Sequence, residues 1–161
     1  MNHKNLSANM KKLFEKLGVK EIVRAGKPYY AAFDYGCFCR VVAPNKIKPL
    51  RENGKYYKTV KLKQEDGSFQ HEKVHRAMMQ AAGYNIEGLD VHHDTGDPSD
   101  NRLKVLTPDT KKAHRYLHKI KSKDPELYAA MLQELKKEAE ITRDSKKIKR
   151  HRSLIMKQNY P

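Results

Sequence analysis

The sequence predicts an α+β fold, with a small antiparallel sheet near the amino end and helices at the carboxyl end. Apolar residues recur at helical spacing at both ends of the chain, and residues 28–74 read as short strands separated by turns. A polar, histidine-rich stretch lies between these regions. We therefore expect four segments: a terminal helix in 1–26, a sheet plus one helix in 27–83, a compact centre in 84–122, and a helix with a basic tail in 123–161.

The amino-terminal helix is predicted from an apolar stripe that ends at Gly18, formed by Leu6, Met10, Leu13, Phe14 and Leu17. Strands are predicted at 29–33, 37–42, 56–63 and 68–74, because hairpin sequences containing Gly36, Gly54 and Gly67 separate them. In the third strand Lys61 and Lys63 share one face with Tyr57, which suits either a duplex backbone or plain solvent.

Charge is the strongest constraint from composition. The 161 residues carry a net charge of +15, with a pI near 9.8, so we expect the chain to bind polyanions. Nucleic acid is favoured over membrane because no apolar run approaches transmembrane length, although a ribosomal or chromatin-like protein would show the same excess. Cys37 and Cys39 would share a strand face, too strained for an easy disulfide, so we expect two small apolar side chains in a reducing, intracellular setting.

The central segment, residues 84–122, contains the candidate metal-binding and catalytic residues. His92 and His93 precede a loop from Thr95 to Asn101 that has no hydrophobic residue, and a second pair, His114 and His118, is spaced four apart on a predicted helix. Adjacent histidines on a strand point to opposite faces, so one is expected to bind a metal ion and the other to act as a base. The loop's turn residues would return Asn101 towards the pair. Thr107, with Pro108 after it, is predicted to cap the helix.

This arrangement resembles the HNH nuclease family, whose core is a two-stranded ribbon and a helix around one divalent ion. The resemblance implies that His92 is the first metal ligand, His93 the general base and His114 the ligand on the helix. The HNH family also has a central Asn, which usually stands just before a Leu. Here Val105-Leu106 occupies that place, so the role is assigned to Asn101. The resemblance takes Thr110, four residues before His114, as the family's threonine. If Thr107 is that threonine instead, Lys111 stands at the ligand position, His114 comes one turn late and His118 becomes a further candidate.

The resemblance extends upstream to Lys55-Tyr56-Tyr57-Lys58 and Val74-His75-Arg76, which look like the segment before the core in phage and intron-encoded homing endonucleases. It covers roughly Lys55 to His118. Within it, Arg76 is either a packing residue or a phosphate contact.

The carboxyl-terminal segment is predicted to start a helix at Asp124-Pro125-Glu126 and to end in a basic run that forms a flexible arm or a helix on DNA. Together, the candidate DNA-binding residues are Lys61, Lys63, Arg76, Arg102, Lys146, Lys147, Lys149, Arg150 and Arg152.

The function expected from these patterns is a metal-dependent endonuclease acting on double-stranded DNA, of the homing type and encoded by a phage or an intron. Mg²⁺ or Mn²⁺ is the expected ion, with Zn²⁺ or Ni²⁺ as alternatives. Two alternatives remain open: a nucleic-acid-binding protein with a structural zinc site, and a degenerate nuclease kept for binding. Monomer and homodimer are both compatible with the sequence.

Overall fold

The computed structural model describes residues 7–43 and 46–159. The helices are α1 (Ala8–Lys16), α2 (Val74–Ala81), α3 (Lys111–Lys121), α4 (Pro125–Thr142) and α5 (Ser145–Asn159). The strands are β1 (Val19–Arg24), β2 (Lys27–Ala32), β3 (Cys37–Ala43), β4 (Lys46–Pro49), β5 (Glu52–Asn53), β6 (Thr59–Lys63), β7 (Phe69–Lys73), β8 (Asp90–His93) and β9 (Leu106–Asp109). The predicted α+β class is confirmed.

The chain divides into two compact units. The first contains the residues up to Ala82 together with Pro98–Lys104, and the second contains Gly83–Asp97 and the residues from Val105 onward. In the described ranges, no helix combines the length and apolar character that a membrane crossing requires.

In the first unit, β1 to β4 form an antiparallel sheet in sequence order. Helix α1 packs on it, and Phe14 and Tyr30 meet with their ring centroids 5.0 Å apart, beside Met10 and Cys39. The predicted amino-terminal helix is confirmed, except that Leu6 lies outside the described residues. Cys37 and Cys39 are free thiols with their sulfur atoms 4.0 Å apart, and Cys39 serves as a core residue as expected.

A second antiparallel sheet, β5-β6-β7, belongs to the same unit. Val60 and Leu62, on the face of β6 opposite Lys61 and Lys63, are fully buried. The prediction of a single sheet is wrong, and so is the start of this strand at Tyr56. The chain turns at Gly54 with a φ of +103°, where an added Cβ would lie 2.2 Å from the Tyr57 carbonyl oxygen, and pairing begins at Thr59.

In the second unit, β8 and β9 form an antiparallel hairpin, with His92 opposite Thr107 and His93 opposite Leu106. Helix α3 follows directly, and Thr110 caps it by accepting a hydrogen bond from the Ala113 amide at 3.3 Å. The predicted cap at Thr107 is wrong because Thr107 is engaged in the β9 ladder.

Helices α3 and α4 share the core of this unit, formed by Leu117, Ile120, Met131 and Leu135. The predicted start of α4 is confirmed, since Asp124 accepts from the Leu127 amide at 2.9 Å and Pro125 is the first helical residue.

The carboxyl-terminal basic run is a helix with a buried side. Ile148 and Arg152 are fully buried and Met156 is 3% exposed, so α5 belongs to the folded core. The expectation that Arg152 contacts DNA is wrong in this structure, because its guanidinium lies 3.2 Å from the buried Asp109 carboxylate and 3.3 Å from Glu138. Burying the apolar positions of α5 places Arg152, four residues after Ile148, on the same inner side.

Candidate metal centre

Three histidines of the second unit converge on one point. His92 comes from β8, while His114 and His118 come from successive turns of α3. One ring nitrogen from each lies within 4.8 Å of the others, and among the described residues this is the one group of three or more His, Cys, Asp or Glu side chains close enough to hold an ion. The spacing of four residues on a helix is what brings His114 and His118 to the same face.

The three imidazole rings lie close enough together to bind one metal ion. The His92 ring centroid lies 5.0 Å from those of His114 and His118. The Nε2 atoms of His114 and His118 lie 3.0 Å apart. Two nitrogens bound at about 2.1 Å to one ion lie roughly 3 Å apart at a right angle and roughly 3.4 Å apart at the tetrahedral angle. The observed separation therefore already suits two ligands of one ion.

Partners behind the rings determine which nitrogens face the centre. His114 Nδ1 lies 3.4 Å from Asp90 Oδ2, which leaves Nε2 to point at the other histidines. His92 Nε2 lies 3.0 Å from the Tyr128 hydroxyl on α4. Carboxylate and hydroxyl partners of this kind orient metal-binding imidazoles in many proteins.

Asp94 fixes the end of the strand that carries the histidine pair. Its carboxylate accepts from Thr107 Oγ1 at 2.9 Å and from the Lys136 ammonium at 2.7 Å. Its carbonyl oxygen accepts from the Tyr128 hydroxyl at 3.0 Å and from Lys121 Nζ at 3.2 Å. Sequence patterns did not reveal this role for Asp94, because its partners lie 13 to 42 residues away.

Burial and neighbouring charges favour the neutral imidazoles of His92 and His118. Burial, followed by the neighbouring His114 and His118, lowers the pKa of His92 to about 3. Burial also lowers the pKa of His118, again with a contribution from His114. A neutral imidazole presents a lone pair, which is the state that binds a cation.

A metal ion fits this donor set. His92 is fully buried, and its Nδ1 has no hydrogen-bond partner among the described residues. A buried acceptor without a partner costs about 1–3 kcal/mol, which a bound cation would offset. The three imidazoles also match the nitrogen donors that zinc and its neighbours in the transition series prefer.

The predicted catalytic residues fall in different units. His93 follows His92 on β8 and is 7% exposed, and its carbonyl accepts from the Gly96 amide at 2.8 Å, closing the turn. Asn101 belongs to the first unit, where it is 3% exposed and donates from Nδ2 to the Ser99 carbonyl at 3.1 Å. An added Cβ at Gly36 would lie 2.5 Å from the backbone of Asn101, so the loop is packed tightly there.

The predicted DNA-binding residues differ in exposure. Lys61, Lys146, Lys147 and Arg150 are exposed, while Lys63, Arg76, Arg102 and Lys149 are half-buried. Arg102 makes a two-pronged ion pair with Asp100, at 2.8 and 2.6 Å, so part of its charge is balanced within the loop.

A basic groove was not foreseen from the sequence. It has a volume of about 370 Å³ and is lined by Lys112, Arg115, Tyr116 and Lys119 of α3 and by Met156 of α5. The sequence signal for this groove was a set of cations spaced three and four residues apart on a helix, a pattern that an ordinary solvated helix face also shows.

Comparison of the chain with protein-family models, curated proteins and solved structures gave no match.

Proposed function

We propose that this chain is a metal-dependent endonuclease with an HNH-type ββα core, formed by β8, β9 and α3, which hydrolyses phosphodiester bonds in DNA. The observation that carries the proposal is the convergence of His92, His114 and His118 on one point, with His93 next to the first of them. A hairpin and a helix that present a histidine cluster, with a further histidine beside it on the strand, supply both a cation site and a base.

The residues have distinct roles in the proposed reaction. His92, His114 and His118 would hold the ion, which when bound would neutralise charge on the phosphate and on the departing oxygen. His93 takes the proton of the attacking water as the bond from phosphorus to the new oxygen forms and the bond to the leaving oxygen breaks. The bonds that Asp94 accepts from Thr107 and Lys136 hold the strand end on which His92 and His93 sit.

The donor set changes the expected ion. Two histidine ligands, as the sequence predicts, are compatible with Mg²⁺ or Mn²⁺. A third imidazole, and no carboxylate in the group found among the described residues, favour a transition metal. We therefore infer that Zn²⁺, Ni²⁺ or Mn²⁺ supports activity better than Mg²⁺.

The ligand count separates a nuclease from a structural zinc site. Structural zinc is closed by four protein ligands, usually including cysteine, whereas catalytic zinc commonly has three protein ligands and an open position. In the described parts of the chain the group contains three histidines and no cysteine. This favours a site that can accept water and phosphate over a closed site.

The charge distribution favours nucleic acid as the substrate. The net charge is +15, and the groove beside α3 presents Lys112, Arg115 and Lys119 in the same unit as the histidines. Cations along a helix bind phosphates without reading sequence. DNA over RNA is implied by the HNH resemblance.

Supercoiled plasmid tests the proposal. We expect the purified chain to produce nicked or linear DNA with Mn²⁺, Ni²⁺ or Zn²⁺ and none with a chelator. His92→Ala and His118→Ala should abolish cutting, while His71→Ala, which removes an exposed histidine of the other unit, should retain it. Intact plasmid with every ion, or equal cutting by His118→Ala, would contradict the proposal.

A further inference from the structure

The hydroxyl of Tyr128 joins two groups of the candidate metal centre. It lies 3.0 Å from the Asp94 carbonyl oxygen and 3.0 Å from His92 Nε2. A carbonyl oxygen can only accept, so the single hydroxyl hydrogen of Tyr128 goes to Asp94. The hydroxyl oxygen must then accept from His92, which requires a hydrogen on Nε2.

This hydrogen determines which nitrogen of His92 is available for binding. A neutral imidazole has one N–H, so a hydrogen on Nε2 leaves a lone pair on Nδ1. That atom is the one left without a hydrogen-bond partner among the described residues, in a side chain that is fully buried. We propose that Tyr128 is a positioning residue, which holds His92 in its Nε2–H tautomer and so makes Nδ1 the ligand atom. The inference rests on the proposed metal site.

The surroundings hold the hydroxyl in place. Asp124 caps α4 one turn before Tyr128, and the Lys121 ammonium lies 5.3 Å from the centre of the Tyr128 ring. Lys121 also donates to the same Asp94 carbonyl at 3.2 Å. The acceptor of the Tyr128 hydrogen is therefore itself fixed, and the hydroxyl has little freedom to reverse its bonds.

The first test is the tautomer of His92 in the wild-type, metal-free chain. The ¹⁵N shifts and couplings of an imidazole distinguish a protonated from an unprotonated ring nitrogen. We expect His92 to carry its hydrogen on Nε2 at neutral pH. A hydrogen on Nδ1 in the wild-type protein would overturn the inference, and this measurement needs no variant that has to fold.

The second test measures metal binding by Tyr128→Phe, with titration calorimetry for Zn²⁺ and with the visible spectrum for Co²⁺. Removal of an outer hydrogen-bond partner typically weakens metal binding by roughly 10–100-fold, and we expect a change in this range. Tyr84→Phe is the matched control, because it removes a tyrosine hydroxyl from the same unit but outside the three-histidine group. The Tyr84 ring lies 5.1 Å from the Arg143 guanidinium. Unchanged Zn²⁺ affinity in folded Tyr128→Phe would overturn the inference.

The outcomes separate this inference from the proposed function. Zn²⁺ binding that depends on Tyr128, without any DNA cleavage, would refute the nuclease and leave the positioning role standing. Cleavage and binding that are equally strong in Tyr128→Phe would refute the positioning role alone. A wild-type chain that binds none of the tested ions would refute both.

Discussion

Replacing Arg152 by Met should destabilise the second unit strongly, because the substitution removes a charge and leaves its buried partners behind. The guanidinium of Arg152 is fully buried, and so is the Asp109 carboxylate 3.2 Å away. Its Nη2 also donates to the carbonyls of Leu135 and Pro108, at 2.7 and 3.0 Å. These contacts tie α5 to α4 and to β9, next to the helix that carries His114.

The magnitude follows from those partners. Above about pH 7, where the Asp109 carboxyl is ionised, removing its buried partner costs about 3–5 kcal/mol, because the remaining charge stays buried without compensation. For a chain of this size that corresponds to a fall in Tm of about 6–20 °C. Arg150→Ala is the control, since Arg150 lies two residues earlier on the exposed side of α5 and should change stability by less than about 0.5 kcal/mol.

The pH dependence gives the prediction its sign. Burial raises the pKa of Asp109 to about 7, against the opposing effect of Arg152. Since this folded-state pKa lies above the unfolded value, the stability from Asp109 is present below about pH 4 and is lost as the pH rises through 7. Arg152 holds the Asp109 pKa down, so without it the carboxyl stays protonated to a higher pH, and the deficit of Arg152→Met should widen as the pH rises above about 7.

Urea unfolding followed by circular dichroism measures both effects. Adding Asp109→Asn to Arg152→Met should recover about half or more of the deficit in unfolding free energy, because the unpaired charge is gone while an acceptor for the Thr110 amide remains. If Arg152→Met unfolds at the same urea concentration as the wild type and instead weakens DNA binding, Arg152 is a surface DNA contact and the buried-pair argument fails.

Two further predictions concern the ion and the DNA. Asp90→Asn should weaken Zn²⁺ binding by about tenfold or less, whereas His118→Ala should weaken it more, because the carboxylate only orients His114 from 3.4 Å; calorimetry with Zn²⁺ would contradict this if the order were reversed. Changing Lys146, Lys147 and Arg150 together to Ala should make the slope of log affinity against log salt shallower by roughly 0.9 for each phosphate that is no longer neutralised; identical slopes would mean that these cations are only solvated.

Local sequence signals predicted the parts of the fold that local physics determines. Asp124 followed by Pro125 predicts a helix start where the segment is not paired in a sheet, and helix α4 begins there. The spacing of His114 and His118 predicts a shared helical face, and both lie in the three-histidine group, although the sequence offered His118 only as an alternative to His114. Alternation alone placed Lys61 and Lys63 on one face of β6, and Val60 and Leu62 are buried on the other.

Long-range pairings could not be predicted in this way. Tyr128 lies 36 residues after His92, and Arg152 lies 44 residues after the Pro108 carbonyl that it binds. No local pattern distinguishes these two side chains from an ordinary helical tyrosine or a solvated cation. The cap at Thr107 failed for the same reason, since pairing of β9 with β8 overrides the local helix-start signal.

The most direct test of the nuclease proposal separates the base from the ligands. His93→Ala should bind Zn²⁺ within a few-fold of wild-type affinity, because His93 is outside the three-histidine group. Its rate of plasmid nicking should nevertheless fall by roughly 10²–10⁴-fold, the contribution of a general base. Nicking rates and Zn²⁺ affinities should be measured on the same preparations of wild type, His93→Ala and His118→Ala. Nicking by His93→Ala at the wild-type rate, with metal binding intact, would contradict the account.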